Sequence, residues 1–176
     1  MSRRALAVLS AIVLAAGLVT LTAAPAQAAP TLLTCSGNQA QTYTPGLTMP
    51  QRPTLTTGVT SFSNCTGTTG PINGTAVRGF ASNQGCLQGA LTGPFTFVVG
   101  WDHGGPSTVR ATDLVVTRVL GQTAVVLTGT VIAGQFIGAT YTEAAVLFNV
   151  MPAACLAEPG VLSAAGPVVL VLGSAI

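Results

Sequence analysis

The chain has 176 residues, of which 49% are hydrophobic and only 6% are charged, and its formal net charge is +2. Two of its six basic residues, Arg3 and Arg4, lie near the N-terminus, and the other four are balanced by four acidic residues. Beyond the N-terminus there is no lysine and no basic cluster, which excludes nucleic-acid binding through a series of phosphates and electrostatic attachment to an anionic membrane.

The N-terminal segment has the pattern of a secretory signal peptide. Arg3 and Arg4 precede an apolar run from Ala5 to about Leu21, and the small-residue sequence Ala-Gln-Ala ends at Ala28. An uncleaved membrane anchor is the alternative, but the apolar run is only marginally long enough to span a bilayer. Removal of residues 1–28 leaves 148 residues with no net charge, enough for one secreted domain over residues 29–176.

Short β-branched segments separated by turn residues follow, and no apolar pattern with helical spacing interrupts them. Antiparallel strands at this spacing predict an all-β meander of about eight to nine strands that closes as a barrel or a sandwich. The predicted strands are residues 31–36, 40–44, 54–62, 74–80, 94–101, 107–120, 123–133, 135–150 and 166–176. The last strand is apolar and uncharged, so we expect it to pair within the sheet.

Turn residues predict how these strands are joined. Gly121-Gln122 and Gly134-Gln135 each place glycine first in a two-residue loop, as a type II′ hairpin requires. Asn73-Gly74 suits a type I′ turn, and Pro45-Gly46 suits a type II turn. Residues 94–150 therefore form a predicted meander of four strands.

The two type II′ turns also predict a register. Paired residue numbers would sum to about 243 across the first turn and to about 269 across the second. Asp113 and Glu143 would then share one face of the sheet, but neither face would be cleanly polar. Either both faces are partly covered, or a β-bulge near Thr112-Asp113 switches the alternation.

Four cysteines in an exported chain predict two disulfides. Three connectivities are possible, and sequential pairing favours Cys35–Cys65 with Cys86–Cys155, although the sequence does not decide between them. A zinc site is disfavoured because the cysteines are single and widely separated.

The segment WDHGGPS, residues 101–107, holds the only tryptophan and the only histidine beside an aspartate and a serine. Asp102 and His103 are adjacent, so in an extended chain their side chains point to opposite faces, and no G-x-S-x-G elbow is present. We therefore expect a hairpin loop in which Asp102 or His103 caps the turn, the two glycines take positive φ and Trp101 joins the core, rather than a catalytic triad.

Paired carboxylates give no better candidate for catalysis. The predicted register separates Asp113 and Glu143 by roughly 16 Å, whereas glycosidases need roughly 5–9.5 Å. Four scattered acidic residues also disfavour a calcium site. The sequence thus predicts no catalytic, cofactor-binding or metal-binding residue.

Five segments carry a resemblance to known proteins: CSGNQAQTYTPGLT, FSNCTG, GWDHGGPST, LTGTVIAGQFIGATYTE and CLAEPGVLSAAG. Together they span nearly all of residues 31–176, and the chain resembles a family of small uncharacterised secreted proteins of actinobacteria. The resemblance implies export, the two disulfide pairs, an all-β domain and a strand–turn–strand at residues 101–107, and it implies no activity. The stretch TGTVIAGQFIGAT is also similar to repeats in meandering β-barrels.

The expected function is that of a secreted, extracellular, non-enzymatic structural or interaction protein with a protein or cell-envelope partner. An alternative is a barrel that encloses a small apolar ligand. A secreted hydrolase ranks lower because acid, base and nucleophile are scarce. A protease inhibitor also ranks lower, with residues 82–89 around Cys86 as its candidate loop.

Overall fold

The computed structural model describes residues 30–67, 72–119, 122–148 and 152–174. The signal peptide predicted at residues 1–28 lies outside the described residues, and so does Gly121 of the first predicted hairpin turn. Within the described ranges, no helix is long and apolar enough to cross a membrane.

Nine strands and one short helix make up the described part of the chain. They are β1 (Thr31–Leu47), β2 (Arg52–Gly67), β3 (Ile72–Gln84), β4 (Gly89–Leu91), β5 (Phe95–Trp101), β6 (Ser107–Val119), β7 (Gln122–Gly134), β8 (Thr140–Leu147), α1 (Pro152–Cys155) and β9 (Val161–Gly173).

The strands form a closed antiparallel barrel. Strands β1 to β4 pair in chain order, strands β5 to β9 do the same, and β9 also pairs with β1. β5 pairs with the first half of β3, and the short β4 pairs with its last three residues. The result is an eight-stranded up-and-down barrel with one extra strand, which confirms the all-β meander and decides for a barrel. β9 lies between two strands, so the C-terminal strand pairs within the sheet as predicted.

Period-2 alternation separates the inside of the barrel from the outside. In β3, every second residue from Ile72 to Gln84 is buried and every residue between them is exposed. The segments predicted as two strands at residues 31–36 and 40–44 form the single strand β1. Gly37 permits this continuity because β2 lies so close that a Cβ there would meet the Ser61 carbonyl oxygen at 2.0 Å.

The predicted register is wrong in both hairpins. Thr117 pairs with Ala124 and Thr130 pairs with Thr140, so the paired numbers sum to 241 and 270. β7 and β8 are joined by a longer turn than Gly134-Gln135, in which Phe136 has a φ of 62° and Gly138 a φ of 85°. This one-residue shift in the second hairpin moves the side chains of β8 to the other face relative to β7.

The predicted β-bulge is confirmed, because the register of β6 shifts between Ala111 and Asp113. Asp113 is exposed, and its Oδ1 accepts a hydrogen bond of 2.9 Å from the backbone N–H of Leu114. Glu143 is buried inside the barrel. The prediction that Asp113 and Glu143 share a face is therefore wrong. Asp113 aligns with Thr128 and Thr142, so the one-residue shift between β7 and β8 places Glu143 on the opposite side of the sheet.

Two other predicted turns lie inside strands. Asn73-Gly74 belongs to β3, where a Cβ on Gly74 would meet Trp101 Cε3 at 2.5 Å. Pro45-Gly46 belongs to the irregular end of β1, where a Cβ on Gly46 would meet the Pro159 carbonyl oxygen at 2.4 Å. In both places the glycine permits a close approach rather than a chain reversal.

The two ends of the barrel are closed differently. At the Trp101 end, the Trp101 ring lies 6.3 Å from that of Phe62 and 5.7 Å from that of Phe136. The disulfide Cys35–Cys65 joins β1 and β2 near this end. At the Cys86 end, the disulfide Cys86–Cys155 joins the loop after β3 to α1. Both favoured cysteine pairs are confirmed.

Candidate functional site

The segment of residues 101–107 forms a hairpin loop between β5 and β6, as predicted. Asp102 accepts hydrogen bonds from the backbone N–H of Asn73 at 2.9 Å and from its side-chain amide at 2.8 Å. His103 Nδ1 lies 3.0 Å from Asp102 Oδ1. These bonds, that of the Asn73 backbone first, lower the pKa of Asp102 to about 2. Gly104 has the expected positive φ, 84°, but Gly105 does not, so the prediction for the second glycine is wrong.

Ser107 takes part in a different set of hydrogen bonds. Its hydroxyl is fully buried, donates to the carbonyl of Gln135 and accepts from Trp101 Nε1 at 2.9 Å. His103 is exposed to solvent and is paired with Asp102. The loop therefore brings Asp102 and His103 together. Ser107 is instead buried in the core, where its hydrogen bond fixes the position of Trp101.

A buried ion pair between Arg78 of β3 and Glu143 of β8 lies inside the barrel. Arg78 Nη1 donates to Glu143 Oε2 at 2.8 Å, and Nη2 donates to Glu143 Oε1 and to the hydroxyl of Thr60. Tyr141 donates its hydroxyl to the same carboxylate. Burial acts to lower the pKa of Arg78, but Glu143 outweighs burial and raises it. Burial, followed by repulsion from Glu143, raises the pKa of Tyr141.

Polar side chains continue from this pair toward the Cys86 end. Gln39 donates to Gln41 at 3.2 Å, and Gln41 donates to the hydroxyl of Tyr43 at 2.6 Å. A cavity beside Gln41 and Thr123 has a volume of only about 10 Å³, close to that of a single water molecule. Side chains thus fill this part of the barrel. Most of its polar groups bond to one another, but Gln39 Oε1 and Thr123 Oγ1 are buried without a hydrogen-bond partner.

The sequence carried one indication of this polar interior. Alternation in β3 places Arg78 on the same side as Ala76 and Phe80, so an arginine at an inward position implies a buried partner. The partner could not be identified, because the predicted register did not place β8 correctly. Among the described residues, no group of three histidine, cysteine, aspartate or glutamate side chains could hold a metal ion.

The outer surface of the barrel carries a row of apolar residues at one register level. We refer to these residues as the apolar row, which consists of Phe148, Ala165, Ala40, Val59, Val77 and Val98. In this order each residue pairs with the next, from the residue after β8 through β9, β1, β2 and β3 to β5. The bulky members are strongly exposed, with fractions of 67% for Val77 and 47% for Val59.

Uncharged polar or small residues border the apolar row on both sides. The flanking level toward the Cys86 end contains Ser163, Thr42, Thr57 and Gly79, and the other contains Pro167, Asn38, Ser61, Thr75 and Gly100. The hydroxyls of Thr42 and Thr57 are hydrogen-bonded to each other at 2.7 Å. An apolar stripe with a polar border is the pattern of an interaction surface.

Small residues make the surface along the apolar row concave. Two grooves of about 410 Å³ and 550 Å³ share Ala40, Val59 and Ala165, and Gly58 lines the first. Val77 stands at one end of the pair of grooves and Phe148 at the other. Arg78 underlies the first groove, but its side chain points into the barrel. The two grooves therefore present a concave, apolar and uncharged surface to a binding partner.

A second apolar feature lies at the Cys86 end, and we refer to it as the apolar tip. It consists of Met49, Leu87 and Leu156, whose exposed fractions are 38%, 60% and 77%. Leu87 and Leu156 directly follow the bonded cysteines, so their Cα atoms lie within about 14 Å of each other.

Residues 82–89, the candidate loop of the lower-ranked inhibitor alternative, form part of this end. The first residues of this segment belong to β3, Gly89 belongs to β4, and the backbone N–H of Gly85 donates to the carbonyl of Gln88 at 3.0 Å. Cys86 is buried, so the tight turn exposes only Leu87 and Gln88. The segment is a compact part of the tip rather than an extended loop.

Comparison with protein-family models, with curated proteins and with solved structures found no match. The geometry of the chain itself is therefore the basis for a functional hypothesis.

Proposed function

We propose that this protein is a secreted, non-enzymatic interaction protein that binds a protein or cell-envelope partner through the apolar row. The observation that carries the proposal is the row itself, which consists of six apolar residues aligned across neighbouring strands on the outer surface.

The position of the row argues for binding. In an antiparallel barrel the inward positions build the core, and the outward positions of a solvated sheet are normally polar. Threonine, serine and asparagine are the polar members of the two flanking levels, so hydroxyl and amide groups border the row on both sides. Covering the row with a partner would remove apolar area from water at roughly 25 cal/mol per Å².

Two features support an extracellular site of action. The disulfides Cys35–Cys65 and Cys86–Cys155 are typical of proteins that fold in an oxidising compartment. The segment before Ala28 has the sequence pattern of an export signal.

A carrier of small apolar ligands is the second candidate, and it would place its cargo inside the barrel. A drug-sized ligand needs a cavity of roughly 300–1,000 Å³. The described interior instead holds the Arg78–Glu143 pair, the glutamines of β1 and a cavity of about 10 Å³. Grooves of sufficient size lie on the outer surface, so we place binding there.

The proposal is tested by the distribution of the tagged protein in its native host between medium and cell envelope. We expect the wild type to be retained on the envelope or to migrate in the medium as a larger complex. The double variant Val59→Asp/Val77→Asp should be released as a free monomer, because two carboxylates on the row oppose its desolvation. Ile137→Asp is the matched control, since Ile137 is 68% exposed and lies in the turn at the Trp101 end.

A free monomer for the wild type would contradict the proposal. The proposal would also be contradicted if the double variant were retained on the envelope as strongly as the wild type. The variants must first match the control in yield and in unfolding midpoint, which separates loss of binding from loss of folding.

A further inference from the structure

We propose that the partner on the apolar row is a second copy of this chain, whose apolar tip inserts into the groove, so that copies assemble head to tail. This inference rests on the proposed function of the row as a binding surface. It adds the identity of the partner and the symmetry of the contact.

The tip is built to project as a rigid unit. The backbone N–H of Met49 donates to the carbonyl of Cys155 at 3.2 Å, and that of Cys86 donates to Thr48 at 2.7 Å. Together with the disulfide Cys86–Cys155, these bonds fix three separate loops to one another. Little loop entropy remains to be lost when a pre-organised apolar projection is buried.

The groove complements this projection in shape. Its surface at Ala40, Gly58 and Ala165 has little or no side-chain bulk, and Val77 stands at one end. A volume of about 410 Å³ accommodates aliphatic side chains such as Leu87 and Leu156. The chain thus carries both a convex and a concave apolar surface at different places.

Charge does not oppose a second copy. The apolar row and its flanking levels contain no charged residue, so they offer no counter-ion to a charged partner. Near the tip, Arg52 and Glu158 form an ion pair at 3.6 Å and offset each other. The chain after residue 28 has four basic and four acidic residues, so no net repulsion opposes the approach of two copies.

The contact is heterologous, because the tip of one copy meets the row of the next. Such contacts leave a free tip and a free row at the ends and generate open chains unless the rotation closes a ring. Three tip side chains cannot supply the roughly 800 Å² that each partner buries in a stable complex. Each contact is therefore weak, and assembly depends on concentration.

The test is sedimentation velocity of the purified, oxidised protein over a range of concentrations. We expect the weight-average mass of the wild type and of Ile137→Asp to rise with concentration. The tip variant Leu87→Asp/Leu156→Asp and the row variant Val59→Asp/Val77→Asp should each remain monomeric. All four substituted residues are exposed, and a match of each variant's unfolding midpoint to that of Ile137→Asp verifies that the variants fold.

A mixture of the two variants distinguishes this contact from any other. The tip variant keeps an intact row and the row variant keeps an intact tip, so the mixture should form 1:1 dimers and nothing larger. A mixture that remains monomeric would overturn the inference, and so would assembly by either variant alone. A dimer lost only in the row variant would indicate two rows packed face to face instead.

The inference and the proposed function fail differently. If the purified wild type stays monomeric at every concentration while its retention on the envelope still depends on Val59 and Val77, the second copy is excluded and the row keeps another partner. If retention does not depend on the row, the proposed function itself fails.

Discussion

At the residue scale, the most demanding feature is the ion pair of Arg78 and Glu143. Both side chains are 3% exposed, so each has lost its hydration and depends on the other and on one more hydrogen bond. Arg78 donates to Thr60, and Glu143 accepts from Tyr141. A buried pair of this kind contributes little net stability over an apolar pair, but it penalises any register that separates its members. It therefore serves to specify how β3 and β8 face each other across the barrel.

Removal of one member should be far more harmful than removal of both. We expect Arg78→Met to lower the free energy of unfolding by about 3–5 kcal/mol, because it leaves Glu143 buried without its partner. The double variant Arg78→Met/Glu143→Leu should recover most of that loss. Urea unfolding of the single and double variants measures both values, and a double variant as unstable as the single one would contradict this explanation.

Asp102 gives a pH dependence with a defined sign. Hydrogen bonds from Asn73 and the nearby His103 lower its pKa from 3.8 to about 2 in the folded protein. A lowered folded-state pKa adds stability above the unfolded pKa of 3.8, and that stability is lost as the pH falls toward 2.

Asp102→Asn should therefore be less stable than the wild type at neutral pH and should lose less stability on acidification from about pH 4 to pH 2. Unfolding midpoints over this pH interval measure the difference. Parallel pH profiles for variant and wild type would show that Asp102 does not cause the pH dependence of stability.

At the element scale, alternation and turn residues predicted the strands well and their register poorly. The β5–β8 meander and the bulge near Asp113 follow from local sequence, because period-2 alternation and its interruption are local properties. The connection after Gly134 was predicted as a two-residue loop, but Phe136 adopts a positive φ that few non-glycine residues take. One residue of error there reversed the face assigned to Glu143.

Gly74 illustrates a glycine whose purpose the sequence does not show. In the sequence Asn73-Gly74 is typical of a turn, whereas in β3 the glycine makes room for the Trp101 ring. We expect Gly74→Ala to destabilise the barrel by roughly 1–3 kcal/mol, because the ring must move away from its contact. Tryptophan fluorescence should change with it, since the bond from Trp101 Nε1 to Ser107 depends on the position of the ring.

Gly79→Ala in the same strand is the matched control. A Cβ at Gly79 would lie 3.6 Å from Thr57 Cγ2, an ordinary contact. Equal stability losses for the two alanine variants would show that the close approach of Trp101 is not the cause.

At the scale of the whole molecule, the candidate binding surfaces arise only from the closed barrel. Val77 and Val98 follow each other across one strand pairing, but Ala40, Val59 and Ala165 join them from other parts of the sequence. No local pattern could predict this alignment, because it requires the correct register at every pairing. The tip likewise depends on which cysteines pair. The sequence favoured the observed pairing but did not exclude the other two.

The most direct test of the apolar row is site-specific photo-crosslinking of the protein in its native host. A photoreactive phenylalanine analogue replaces either Val77 in the row or Ile137 in the turn at the Trp101 end, two positions with exposed fractions of 67% and 68%. We predict crosslinked products from position 77, which form a series of multiples of the chain mass when the partner is a second copy, and none from position 137. No product from position 77, or the same product from both positions, would contradict the assignment of binding to the row.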